Sequence, residues 1–175
     1  MYLFSGGGKK RKKVQLLGSG AILREVIAAG EMLDKEWGVD ADIWSVTSFN
    51  ELRREALSVT RWNMLHPAQA AKVSHVEDCL KGREGPVVAA TDYMKIYADQ
   101  IREFVPGRYL VLGTDGFGRS DTREKLRRFF EVDRFYITVA ALKALSEEGK
   151  ISSQQVDQAI QKYGIDPEKP NPAIS

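Results

Sequence analysis

Val14-Gln15-Leu16-Leu17-Gly18-Ser19-Gly20-Ala21-Ile22-Leu23-Arg24-Glu25-Val26 is the stretch on which the fold turns. Its first half reads as a strand that needs cover on both faces, the condition of a parallel sheet between crossover helices. Gly18 and Gly20 permit a sharp turn, and Ser19 is placed to cap a helix by accepting from its first free N–H groups. The helix should run from Ala21 to about Trp37. Ile22, Val26, Ala29, Leu33 and Trp37 recur at three- and four-residue spacings and draw one buried stripe.

Strand followed by helix then repeats along the chain. Asp42–Thr47 has the β-branched and aromatic density of a strand, and Ser48 with Glu51 opens a helix through a capping box. Arg61–Pro67 reads as irregular, because residue 66 precedes proline. Ala68 to about Leu80 reads as a further helix. Val87–Ala90 is a third core strand, after which Asp92 is an N-cap and Tyr93, Tyr97, Ile101 and Phe104 share a face. Tyr109–Leu112 is a fourth buried strand. Helices carrying Leu126 and Phe130, Ile137 to Leu145, and Val156 to Tyr163 follow, the second capped by Asp133 and the third by Ser152 or Ser153. The tail from Pro167 to Pro172 cannot continue a helix and should lie on the surface. The pattern specifies an α/β class.

Composition narrows the class further. The 175 residues are 43% hydrophobic and 29% charged, as expected of a soluble domain with a sizeable core. No apolar run approaches the roughly 20 residues that span a bilayer. Cys79 is the single cysteine, which points to a reducing, cytoplasmic compartment. The net charge of +2 implies no particular partner. Lys9-Lys10-Arg11-Lys12-Lys13 is a run that can bind phosphate backbones or a membrane surface. It follows Gly6-Gly7-Gly8, however, lacks the interleaved aromatics that stack on bases, and reads first as a solvated linker, so neither nucleic acid nor membrane is expected as a partner. Residues 1–13 are read as an edge strand plus a flexible basic linker, and residues 14–175 as one domain.

Candidate chemistry is sparse. Gly18-Ser19-Gly20 lacks the third glycine of a dinucleotide fingerprint and the Gly-Lys-Ser/Thr of a triphosphate loop, which favours a plain strand–helix turn. His66, His75 and Cys79 have no metal-ligand spacing, and nothing around them forms an oxyanion site. The richest polar loop is Asp115-Gly116-Phe117-Gly118-Arg119-Ser120-Asp121, at the carboxyl end of a core strand, where open α/β sheets place ligands. Ser19, Asp92, Asp115 and Arg119 are therefore the candidate anion or interface residues. Arg119 could clamp a carboxylate or phosphate, or simply pair with Asp115 or Asp121. No catalytic, cofactor-binding or metal-ligating set is complete.

Five blocks carry a resemblance: Val14–Gly20, Ser45–Phe49, Arg61–Pro67, Thr91–Lys95 and Leu112–Asp121. In order, they resemble the C-terminal domain of the homodimeric bacterial pyruvate dehydrogenases, over nearly the whole chain. The resemblance implies a transketolase C-terminal-like, three-layer α/β/α domain. Its mixed five-stranded sheet would have four parallel strands and Tyr2-Leu3-Phe4 as the antiparallel edge, with the Val14 strand beside the Val87 strand. It implies a larger parent enzyme that oxidatively decarboxylates pyruvate and passes the acetyl group to lipoyl groups of dihydrolipoyl acetyltransferase. Thiamine diphosphate and magnesium would be bound by domains absent from this chain. The remaining domains and a homodimer mate would be its partners. The domain alone would be non-catalytic, with a structural and dimerisation role. The alternative left open is a small-anion or partner-protein binding module using the glycine loops and Arg119.

Overall fold

The computed structural model describes residues 1–8 and 12–175. The middle of the basic run, Lys9 to Arg11, and with it the linker reading, lies outside the described residues. Five strands form one sheet: β1 (Tyr2–Ser5), β2 (Lys13–Gly18), β3 (Asp40–Ser45), β4 (Val87–Ala90) and β5 (Tyr109–Leu112). The spatial order is β1-β3-β2-β4-β5. β2 is parallel to both β3 and β4, β4 is parallel to β5, and β1 closes one edge antiparallel to β3. The expected mixed sheet and the pairing of the Val14 and Val87 strands are both present.

Side chains alternate across this sheet, so each strand feeds two cores. Val14, Leu16, Ile43, Val88 and Ala90 face one layer; Leu17, Trp44, Val87 and Ala89 face the other. The first layer is built from α1 (Leu23–Trp37), α6 (Arg134–Glu147) and α7 (Ser153–Lys162), with α5 (Arg123–Phe129) beside them. α6 is buried nearly all round, as befits a helix seated between α1, the sheet and α7. The second layer is built from α2 (Phe49–Leu65), α3 (His75–Leu80) and α4 (Lys95–Asp99).

The turn that opens the sequence reading differs in detail. Ser19 caps nothing: a short 3-10 turn over Gly20–Ile22 leads into α1, and neither end of it receives a side-chain cap. Gly18 is required for a steric reason, since a Cβ there would stand 2.9 Å from the Leu23 Cα. The turn is tight because helix and strand touch.

Other boundaries also move. β3 begins two residues earlier than expected and ends at Ser45, because its register is set by β2 from Lys13↔Asp40 to Gly18↔Ser45. Ser48 accepts from the Glu51 N–H, but the Glu51 carboxylate turns to Arg54 and leaves the box half made. The supposed irregular stretch at 61–65 is helical and completes α2, which stops only at His66, before Pro67. Conversely, residues 68–74 are not helical. The Asn63 side chain engages both the N–H and the carbonyl of Lys72, at 2.8 and 2.9 Å, and ties this segment to the end of α2. The Lys72 ammonium sits 3.9 Å over the Trp62 ring, whose indole also stacks on His66. α3 then starts at Ser74 with a full capping box to Glu77.

The stripe drawn from Tyr93 to Phe104 is broken into α4 and a 3-10 turn over Arg102–Phe104, and Tyr93 is exposed. Asp133 caps α6 through the N–H groups of Phe135 and Tyr136, and Ser152 caps α7, both as expected. The tail is not merely superficial. Pro172 is buried against Gly116, whose φ of 113° and lack of a side chain admit the tail; a Cβ there would stand 2.0 Å from the Pro172 oxygen.

Candidate functional site

The chain crosses from one half of the sheet to the other between β2 and β4, and the loops at their carboxyl ends diverge there. Three loops meet: residues 18–22, 90–95 and 112–119. They are laced together by backbone bonds from Ser19 N to Ala90 O (3.2 Å), Thr91 N to Leu112 O (3.1 Å) and Thr114 N to Tyr93 O (2.9 Å). The Ser19 hydroxyl donates to Thr91 Oγ1 at 2.8 Å, which also accepts from the Tyr93 N–H. Thr114 Oγ1 donates to the Asp92 carbonyl. These bonds satisfy loop backbone groups that a ligand could otherwise use.

The four candidate residues do not converge. Ser19 belongs to a cleft of about 350 Å³ on the α2 side, walled by Thr47 to Asn50 and Tyr97. Arg119 belongs to a cleft of about 390 Å³ on the α5 side. Asp92 stands between and lines both. Asp115 is spent inside the scaffold, where its carboxylate accepts from the Lys95 N–H at 2.9 Å at the start of α4. That is the capping role the sequence reading gave to Asp92. Arg119 pairs with neither Asp115 nor Asp121; its guanidinium lies 4.2 Å over the Phe129 ring, while Asp121 pairs with Lys125.

The strongest electrostatic feature was not singled out from the sequence. Glu25, in the first turn of α1, is only 5% exposed and takes Arg127 of α5 and Arg134 of α6 together. Arg134 reaches it through Nε (2.9 Å), Nη2 (3.2 Å) and its own backbone N–H (3.2 Å). Burial pushes the Glu25 carboxyl up, but the hydrogen bonds and charge of Arg134, with the charge of Arg127, outweigh it and hold it below the ordinary carboxylate range. The available signal was a carboxylate next to Val26, on the edge of the apolar stripe. Three helices are pinned by it.

Among the described residues, no group of three or more His, Cys, Asp or Glu side chains is placed to hold a metal ion. The Cys79 thiol lies 3.5 Å from His75 Nε2, but burial pushes it up, away from the thiolate a nucleophile needs. At the glycine turn the Ser19 N–H and hydroxyl are already committed to Ala90 and Thr91, which does not fit a diphosphate cradle. Among the described residues, no helix is long and apolar enough to cross a membrane.

Residues 1–133 match the family model described as the transketolase-like TK C-terminal domain. The chain belongs to that family. This transketolase-type C-terminal domain is 61% identical, over 98% of its length, to the pyruvate dehydrogenase E1 component of Pseudomonas aeruginosa, and 59% identical, again over 98%, to that of Cupriavidus necator. The Escherichia coli K12 protein of the same name is 52% identical over 93% of the chain. The domain spans about a fifth of these relatives: 20%, 19% and 18% of their respective lengths. Its fold is also that of Campylobacter jejuni transketolase, with a TM-score of 0.54 at 18% identity over 81% of this chain and 18% of that one. A split-gene transketolase, described as an inactive beta4 tetramer, gives 0.52 at 18% identity over 83% and 41%.

Proposed function

We propose that this chain is the C-terminal domain of a pyruvate dehydrogenase E1 component, where it supplies architecture rather than reacting groups. The observation that carries the reading is the 61% and 59% identity to E1 components over 98% of the chain. In the parent enzyme, thiamine diphosphate with magnesium supplies the decarboxylating chemistry, held by domains outside this chain. The loops at the carboxyl ends of the strands suit a supporting role: their polar groups are turned inward on one another, and Glu25 ties α1, α5 and α6 into one block. Within the parent, the domain completes a homodimer working in the cytoplasm, and the acetyl group leaves on lipoyl groups of dihydrolipoyl acetyltransferase. Tyr2–Ser5 acts as the edge strand that closes the sheet against β3.

Calorimetric titration of the chain with thiamine diphosphate and magnesium tests this division of labour. No saturable heat is expected. Micromolar binding would overturn it.

A further inference from the structure

The cleft on the α5 side has an unusual make-up for a supporting domain. Its floor is apolar and well buried, with Ile22 and Val132 each 1% exposed and Phe130 beside them. Leu126 also lines it. Its rim is basic: Arg119, Arg123 and Arg127 all line it, against a single acid, Asp92. Arg127 is anchored from behind by Glu25. Arg119, in the loop before α5, and Arg123, both exposed, have no carboxylate partner among the described residues, whereas Lys125 and Arg128 of α5 each pair with an aspartate. Burying the floor is favourable in proportion to area, and the Arg123 guanidinium, with that of Arg119 stacked over the Phe129 ring, presents N–H groups that match carboxylates.

We infer that this cleft docks an acidic, leucine-rich segment of another polypeptide, its aliphatic side chains on Ile22, Leu126, Phe130 and Val132 and its carboxylates on Arg119 and Arg123. A compact polyphosphate fits less well. The strand-end loop offers no free phosphate cradle, Asp92 repels a dense anion, and an apolar floor is wasted on it. Spaced carboxylates on an extended chain avoid Asp92, whose carboxylate can instead accept from the peptide backbone. The inference does not depend on the pyruvate dehydrogenase reading, since it rests on the groove alone.

The test is fluorescence anisotropy of the full 175-residue chain with a short labelled peptide alternating glutamate and leucine. Saturable binding that weakens with salt is expected, falling about tenfold or more in R119A/R123A, as for loss of anchoring arginines at an interface. Both positions are exposed, so the variant should keep its circular dichroism. R24A, outside the groove, should bind within about twofold of the parent. A peptide with serine in place of leucine should bind at least about tenfold more weakly, the loss expected from two or more uncovered aliphatic groups. Absence of binding, unchanged affinity in R119A/R123A, equal affinity for the serine peptide, or displacement by equimolar pyrophosphate would each overturn the proposal.

Discussion

The two faces of the sheet are covered by different means. On the α1 side, long helices pack in a continuous layer, with α6 buried between α1 and α7. Polar pins close its ends: Glu25 with Arg127 and Arg134, and Tyr163, whose hydroxyl accepts from Trp37 Nε1 at 2.7 Å and donates to Glu36 at 2.9 Å. Burial is the main reason the Tyr163 phenol is pushed up to about 12. On the α2 side, one long helix is followed by short pieces held by side-chain bonds to loops, such as Asn63 to Lys72 and Ser74 to Glu77. One face is a slab, the other a mosaic, and a slab transmits strain where a mosaic can relax. The clefts follow the same division, since the basic rim at Arg119 and Arg123 lies where α5 meets the slab.

Removing matched core leucines should break this comparison if it is wrong. Leu33→Ala, at a fully buried position clamped between sheet and α6, should cost about 4 kcal/mol, near the upper part of the range for such cavities. Leu80→Ala, equally buried at the end of the six-residue α3, should cost about 2–3 kcal/mol because α3 can settle into the space. Urea denaturation compares the two, and equal costs would remove the distinction.

Glu25→Gln should rank next, at about 2 kcal/mol. That lies below the loss for a fully buried pair because the side chains of Arg127 and Arg134 are 20% and 44% exposed. It also carries a pH signature. The folded carboxyl titrates below the ordinary 4.5, so its stabilisation is complete above that pH and is lost as pH falls through the folded value. Acid titration of stability should therefore be steeper in the parent than in Glu25→Gln below about pH 4.5.

Ser74→Ala should cost about 1 kcal/mol, since it removes the capping box of a helix too short to stand alone. Ser19→Ala should cost least, about 0.5 kcal/mol for one partly buried bond to Thr91. A loss near that of Ser74→Ala would reinstate Ser19 as a cap and contradict the turn described above. Thermal melts of the two variants side by side give the ranking.

How much of this was legible depends on the face. The slab is written in periodicity: Ile22 in the 3-10 turn, Val26, Ala29 and Leu33 on α1, and Ile137, Ala141 and Leu145 on α6 are all buried where their spacing places them. The core strands at Val87 and Tyr109 were equally plain, as runs of apolar residues between turns. The mosaic is legible only in part: Ser48 marks where α2 begins, but nothing periodic marks where it ends. Pro67 marks a break but not its side, so the pattern reads the last turn of α2 as loop and the non-helical segment after it as helix. What decides it is a bond between Asn63 and Lys72, a tertiary choice with no periodic signal. At the candidate site, the sequence identified the right loops but not who uses them. Asp115 and Ser19 spend their side chains on neighbouring loops, and only the folded sheet brings those neighbours close.

The central claim is that this chain is interchangeable with the C-terminal part of an E1 component and contributes no reacting groups by itself. The direct test is a chimera in which this chain replaces the matching segment of the Pseudomonas aeruginosa pyruvate dehydrogenase E1 component, assayed for pyruvate-dependent acetylation of lipoyl groups beside the chain alone. An active chimera and an inactive chain are the predicted pair. A soluble, folded chimera without activity, or turnover by the chain alone, would contradict the account.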